Sequence, residues 1–206
     1  MAPTRAERAA STRHKLLDTA IEQFLDKPYD DVSVHDLAKA AGVAYGLVAH
    51  HFGNKRGIHL EALREMARRL EQGPPPPGPV GMRVRHLTLD HFASIQRNPP
   101  AFLGLMLGAD PDSRAIVDTS KELAVRLTGD ALDLDPERPA VRLALRSWIG
   151  TVNEAAVAWL QDGRPFPVDD LIEVLTATLA ELLRQAARLD PTLDLARTLS
   201  ALDRPS

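Results

Sequence analysis

The 206-residue chain contains no cysteine. Disulfide frameworks, thiolate zinc sites, iron–sulfur clusters and cysteine nucleophiles are thereby excluded. Aromatic residues are only 4% of the chain, too few for a platform that stacks unpaired bases, so single-stranded nucleic acid is not an expected partner. No apolar run approaches the roughly 20 residues that a membrane-spanning helix needs, and no membrane partner is expected. Short β-branched stretches with strict alternation are missing, and the one Asp-Gly pair, Asp162-Gly163, adjoins Pro165 at the end of a helical pattern. The residues up to Arg13 are polar and carry Arg5, Arg8 and Arg13 with no apolar stretch behind them. A secretory leader is not expected there, and a cytoplasmic home is.

What is present is an ordinary globular composition, 44% hydrophobic and 26% charged, with a net charge of −3. The charge is unevenly shared. Residues 1–72 carry 11 Lys and Arg against 10 Asp and Glu, and they hold five of the seven histidines. Residues 73–206 carry 14 against 18. Between them lies Gly73-Pro-Pro-Pro-Pro-Gly-Pro-Val-Gly81. Consecutive prolines lack N–H donors and clash with a preceding helical turn, so this run predicts a semi-rigid polyproline spacer. The expected organisation is a first domain at 1–72, a spacer at 73–81 and a second domain at 82–206.

Both flanks read as helix. Leu16, Leu17, Ala20, Ile21, Phe24 and Leu25 recur on one helical face, as do Ile58, Ala62, Met66 and Leu70 in a segment taken as 54–72. Further apolar stripes run through 82–95, 101–107 and 115–131, with Asn98-Pro-Pro100 and Asp110-Pro111 as punctuation, and the most periodic segments are 138–161 and 168–188. The fold class is all-α, with about nine helices.

The segment Ser33–Lys55 carries the functional signal. Ser33-Val-His-Asp36 is a capping-box-like helix start, and Val34, Leu37, Ala38 and Ala41 form a short apolar face behind it. Gly42 stands where a tight turn needs a residue that tolerates positive φ. Val43, Val48 and Phe52 then supply the inner face of a second short helix. A small residue at 38, a glycine four later and an apolar residue six beyond it meet the needs of a helix-turn-helix. The outer face of the second helix holds Tyr45, Gly46, Leu47, His50 and His51. An ordinary helical hairpin would have the same inner pattern, but that outer face, polar-tipped and without acids, favours duplex DNA as partner.

The stretches Leu16–Phe24, Tyr29–Val43 and Gly46–Lys55 resemble the TetR family of bacterial repressors in register, from cap through turn glycine to the Phe-x-x-Lys exit. The resemblance covers about 55 residues; the rest agrees only in being helical. It implies a three-helix DNA-binding domain followed by a regulatory and dimerisation bundle. Three positions depart from the family pattern. Ala49 stands where a phosphate-gripping tyrosine is usual, His51 where a second aromatic is common, and Ala44 where Ser or Thr caps the recognition helix.

Chemistry and resemblance together assign roles. Lys55 opens a helix where free N–H groups and a cation suit a phosphate. Ser33 and His35 start the preceding helix and are placed to do the same across the groove. Tyr45 and Leu47 are the candidates for base edges, with Ala44, Gly46, His50 and His51 completing the interface. Tyr29 and Phe52 read as core. The cluster Arg5, Arg8, Arg13 and Lys15 either follows the DNA backbone or enters a minor groove, or is a solvated helix face.

Nothing supports catalysis. His50 and His51 are neighbours that point about 100° apart on a helix, and no His-Glu-x-x-His pattern occurs. Gly53-Asn-Lys-Arg-Gly57 has the wrong spacing for a phosphate loop, and no Gly-x-Ser-x-Gly elbow is present. No catalytic residue, metal or cofactor is expected.

In 138–161 the stripe Val141, Leu145, Trp148, Val152, Ala155 and Trp159 adjoins a second one of Ile149, Asn153, Ala156 and Leu160. Together they exceed the arc that a helix needs to cover its own core, and 168–188 repeats the excess. This predicts a two-fold four-helix interface and a homodimer, in which a charge at Leu179 or Leu182 would give monomers or aggregates; the alternative is two helices central to a monomer. His86, Leu89, Phe92, Phe102 and Met106, opposed by Trp148 and Asn153, are the expected lining of a small-molecule pocket. The whole reads as a ligand-responsive repressor acting on a palindromic operator. The alternative is a ligand-binding or signalling bundle with a vestigial helix-turn-helix.

Overall fold

Several helix starts follow from local chemistry. Thr4 accepts from the Glu7 amide at 3.2 Å while the Glu7 carboxylate accepts from the Thr4 amide at 2.6 Å, a reciprocal box that opens α1 (Arg5–Asp26). A 3-10 turn at Tyr29–Asp31 leads to α2 (Val34–Ala40), α3 (Gly46–Phe52) and α4 (Lys55–Leu70). Then follow α5 (Val80–Arg97), α6 (Pro99–Leu107), α7 (Pro111–Leu132), α8 (Pro139–Gln161), α9 (Val168–Leu189) and α10 (Ala196–Leu202). Proline occupies the first position of α6, α7 and α8, where its missing N–H has no helical partner to lose. The computed structural model describes residues 4–27, 29–70, 73–108 and 111–203; Gln72 and Asp110, an expected domain end and an expected turn residue, lie outside them.

The chain is all-α, with ten helices among the described residues. The proline run Gly73–Pro79 is non-helical, and α5 begins at Val80, two residues inside the expected spacer. The two compact units are not a simple division at the prolines. One comprises Met1–Arg69 with Pro100–Ile116, the other Leu70–Pro99 with Val117–Ser206.

In the first unit, Leu16, Leu17, Ala20 and Ile21 of α1 are buried with Leu37, Ala38, Ala41, Val48, Ile58, Ala62 and Met66. Ala101, Phe102 and Leu105 of α6 are also buried, and a side chain at Gly104 would come within 3.0 Å of Leu25 and 3.6 Å of Met66. Phe102 is thus core of this unit, and Met106 sits beside it on the same helix. A buried phenylalanine of this kind contributes on the order of 2–3 kcal/mol through apolar area alone.

The second unit is organised on α8 and α9. Val141, Leu145, Trp148, Ile149, Val152, Ala156, Val157 and Trp159 of α8 are buried against Leu171, Ile172, Leu175, Leu179 and Leu183 of α9. Trp148 Nε1 donates to the Leu175 carbonyl at 2.8 Å, which satisfies the one polar atom of a buried indole. The broad apolar arcs of these helices are therefore used inside the protomer. Leu179 has no exposed surface and is core of the protomer, whereas Leu182 is half-buried and keeps part of its surface open. What α8 and α9 leave outward is mixed: Leu143, Gly150, Thr151 and Ala158 are exposed on α8 beside Arg146, Ser147 and Glu154, and Val174 and Ala177 are exposed on α9 beside Glu173 and Glu181. Helix α10, absent from the sequence reading, packs on α5 and α9; Thr198 and Leu202 are buried, Thr198 Oγ1 donates to the Leu132 carbonyl at 3.5 Å, and Arg184 holds Asp203 at 2.6 Å just past its end.

Candidate DNA interface and ligand cavity

Helices α2 and α3 are set by one cap and one turn. Ser33 Oγ accepts from the Asp36 amide at 3.0 Å and donates to the Asp36 carboxylate at 2.6 Å, which also holds that carboxyl below its ordinary pKa. At the other end of α2, Gly42 has φ +62°. Its amide donates to the Lys39 carbonyl at 3.1 Å and the Val43 amide to the Ala38 carbonyl at 3.0 Å. That pair of bonds is a Schellman closure, and the left-handed residue it requires is the glycine. Val48 is fully buried beneath α3, so the helix has a fixed inner side and a free outer one.

The start of α3 has no side-chain cap. Tyr45 already has helical dihedral angles (φ −46°, ψ −45°), so the capping place falls on Ala44, whose methyl group accepts nothing. The turn closes instead through short bonds, Leu47 N to the Ala44 carbonyl at 2.9 Å and Val48 N to the Tyr45 carbonyl at 3.2 Å. Ala44→Ser is expected to stabilise the protein by about 1 kcal/mol, read as a higher midpoint in urea at unchanged slope.

The expected DNA-side residues come together on one surface. Tyr45 is 60% exposed, and Ser33, His35, Ala44, Gly46, Ala49 and His50 are exposed around it. The His35 and Tyr45 rings lie 6.5 Å apart, so the start of α2 and the start of α3 share this face. Leu47 and His51 are half-buried. His51 packs its ring 4.9 Å from His50, and burial, then His50 and Arg13, lowers its pKa. The Arg13 guanidinium stacks 5.1 Å from the Phe52 ring, which fixes one cation of α1 beside the exit of α3.

Lys55 behaves differently from its neighbours. Its Nζ lies 4.2 Å over the Tyr29 ring and donates to the Asp30 carbonyl at 3.3 Å, so the ammonium is anchored on the turn between α1 and α2. Tyr29 in turn meets His59 at 4.7 Å, and Phe24 meets His59 at 4.6 Å. Two supporting residues escaped the sequence reading. Asn54 caps α4 by accepting from the Gly57 amide at 2.9 Å, and a side chain at Gly57 would strike the Phe52 carbonyl at 1.9 Å. The signal was present, since Asn ahead of a helix and Gly three residues later suit a tight α3–α4 corner. The first turn of α4 is also tied to α7 by a two-pronged pair, Arg56 Nε and Nη2 to the Asp112 carboxylate, each at 3.0 Å.

The second unit contains a cavity of about 130 Å³ between α5, α7 and α8. Trp148 and Asn153, two of the expected lining residues, face it from α8 together with Ile149 and Val152. From α5 the lining is Leu87, Thr88 and His91, not His86, Leu89 or Phe92. The helical rotation explains the difference: residues 87, 88 and 91 share a face, and 86 and 89 turn from it. His86 is instead paired with Asp90 at 3.0 Å, and Phe92 is buried edge-on against Trp159 at 5.8 Å. Phe102 and Met106 belong to the other unit. Helix α7 supplies the rest, Ser120, Lys121, Leu123, Ala124, Leu127 and Thr128. His91 Nε2 is buried; that burial lowers the imidazole pKa to about 4, while a hydrogen bond to Asn153 pulls the other way.

Among the described residues no three His, Cys, Asp or Glu side chains gather to hold a metal ion, and no helix is long and apolar enough to cross a membrane.

Comparison with known proteins agrees with this geometry. The model of the bacterial regulatory proteins of the tetR family matches residues 16–62, from the core of α1 into α4. The HTH-type transcriptional repressor Rv1474c of Mycobacterium tuberculosis is 30% identical over 175 residues, 80% of this chain and 92% of that protein. The chain belongs to the TetR family. The likeness extends beyond the DNA-binding end. A tetR-family transcriptional regulator from Streptomyces coelicolor is 28% identical and superposes with a TM-score of 0.76 over 95% of this chain and 90% of that one. The HTH-type transcriptional repressor KstR of Rhodococcus jostii is 28% identical over 185 residues, 85% of this chain and 84% of that protein. As a TetR-family member the chain is a helix-turn-helix, DNA-binding transcription regulator and not an enzyme.

Proposed function

We propose that this TetR-family regulator is a repressor that binds an inverted-repeat operator as a homodimer and is released by a small molecule in the cavity of its second unit. The observation that carries the DNA side is the outer face of α3. Buried Val48 fixes the helix while Tyr45, Gly46, Ala49 and His50 stay exposed beside Ser33 and His35. Such a face reads only a few base pairs, and specificity then needs a second copy. The outward face of α8 and α9 supports that pairing: exposed Leu143 and Val174 stand with Gly150 and Ala177, small residues that permit close helix approach, and Glu154 and Glu181 lie among them.

The site roles follow. Tyr45 and Leu47 face bases. Lys55, anchored by Tyr29 and Asp30, holds a phosphate with its remaining N–H donors, so Lys55→Ala is expected to weaken binding to every duplex alike. The salt dependence should flatten by about one counterion per half-site, whereas Tyr45→Ala changes which sequence is preferred. A Lys55→Ala protein with altered sequence choice and an unchanged salt slope would contradict the assignment. Because Lys55 also braces Tyr29, unfolding of the variant is measured alongside.

Control passes through α7 in this reading. The same helix gives Asp112 to Arg56 at the start of α4 and six residues to the cavity. The experiment is a pair of titrations with one releasing ligand, with and without operator DNA, followed by tryptophan emission. Linkage requires that the factor by which ligand weakens DNA binding equal the factor by which DNA weakens ligand binding. Equal ligand affinity in both titrations would end the regulatory reading.

A further inference from the structure

The cavity has a definite electrostatic character. Among its lining residues there is no aspartate or glutamate, and Lys121 is the one lysine or arginine. The carboxylate next to it in sequence is already taken: Glu122 is clasped by both Arg142 and Arg146. Among the described residues, Lys121 has no ion-pair partner of its own. His91, with a pKa near 4, is neutral at pH 7 and adds no second positive charge.

The remaining polar groups are few and partly committed. Thr88 Oγ1 donates to the Val84 carbonyl at 2.9 Å and keeps only acceptor capacity, and Asn153 is bonded to His91. Trp148 spends its N–H on Leu175, so it offers the cavity an apolar ring. Leu87, Leu127, Ile149 and Val152 complete an apolar wall. As for size, a dry apolar cavity of about 150 Å³ takes a benzene molecule, so 130 Å³ suits a single ring or a chain of similar volume.

We infer that the cavity takes a small organic acid, one carboxylate met by Lys121 and an apolar body of one ring or a short alkyl chain against Trp148 and Val152. A cation is disfavoured twice, by the unpaired ammonium of Lys121 and by the lack of any carboxylate to receive it. A neutral isostere fills the same wall but forgoes the charge-assisted contact. The inference rests on the reading of this cavity as the effector site, and the test separates the two.

The probes are benzoate and hexanoate, with benzamide as the neutral and benzylamine as the cationic counterpart. They are titrated into the full-length protein at pH 7 and followed by tryptophan emission, to which Trp148 and Trp159 both contribute, and by calorimetry. Both acids are expected to bind about tenfold or more tightly than benzamide, with benzylamine weaker still. Lys121→Gln should remove the preference and Lys121→Arg should keep it, with thermal unfolding confirming that both variants fold. Benzylamine binding as well as benzoate, a preference that survives Lys121→Gln, or no binding of either acid at millimolar concentration would overturn the inference. Operator release is read separately. An acid that binds with the Lys121-dependent preference yet leaves DNA affinity unchanged upholds the ligand class and removes effector control. A cation or neutral molecule that enters the cavity and releases DNA, where the acids do not, upholds effector control and overturns the class.

Discussion

A glutamate at Val174 is expected to leave the protomer folded, to split the dimer, and to lower operator affinity by about 100-fold or more. Val174 is 63% exposed on α9, so the substitution removes little packing within the protomer. In a two-fold interface the same substitution enters twice, and a carboxylate buried there loses water without gaining a partner. Loss of the dimer then removes the linkage between two recognition helices, an advantage of about 10²–10⁴ in effective affinity. Sedimentation and far-ultraviolet circular dichroism distinguish the outcomes. Val174→Thr is expected to stay dimeric, and Leu179→Glu to unfold, because Leu179 is fully buried inside the protomer. A dimeric, DNA-binding Val174→Glu protein would move the interface away from this strip of α9.

The second large effect is a loss of stability in acid that depends on His91. An ordinary histidine has a pKa near 6.5, and burial lowers that of His91 to about 4 in the folded protein. Between those values the unfolded chain binds a proton that the folded chain refuses. The contribution of neutral His91 is therefore fully retained above pH 6.5 and is lost as the pH falls from 6.5 through 4, reaching about 3 kcal/mol. Carboxylates held low by hydrogen bonds or ion pairs, such as Asp36, Glu65 and Asp190, add an acid dependence of the same sign. The measurement is accordingly a difference: urea unfolding of wild type and His91→Gln at pH 7 and pH 4. The stability of wild type relative to His91→Gln should fall by about 3 kcal/mol between pH 7 and pH 4, and parallel pH profiles would contradict the assignment.

The DNA-binding end was legible because its signals are local chemical necessities. Ser33 was readable as a cap and Gly42 as a left-handed turn residue, since few other side chains meet those needs, and the structure shows both. The cavity was only half legible. Trp148 and Asn153 lie where expected, but Met, Phe and Leu stripes look alike whether they face a cavity or a core. Phe102, expected at the cavity, is buried in the first unit instead. Periodicity identifies which residues of a helix share a face and says nothing about the partner of that face. The same ambiguity explains α8 and α9, whose wide apolar arcs serve the protomer interior and leave outside a mixed face, in which Leu143 and Val174 stand among small and charged residues. Helix α10 is seven residues long, too short for two full turns of pattern to stand out from a turn.

Whether α3 is a reading helix on a two-fold protein is tested most directly by selecting duplex DNA from a random pool with the full-length chain. The expected result is enrichment of one inverted repeat whose half-sites are centred about 34–36 Å apart, or a multiple of that. Tyr45→Ala should shift the enriched bases within each half-site while preserving the spacing. Failure to enrich any sequence, or enrichment of a single asymmetric element by a dimeric protein, would contradict the account.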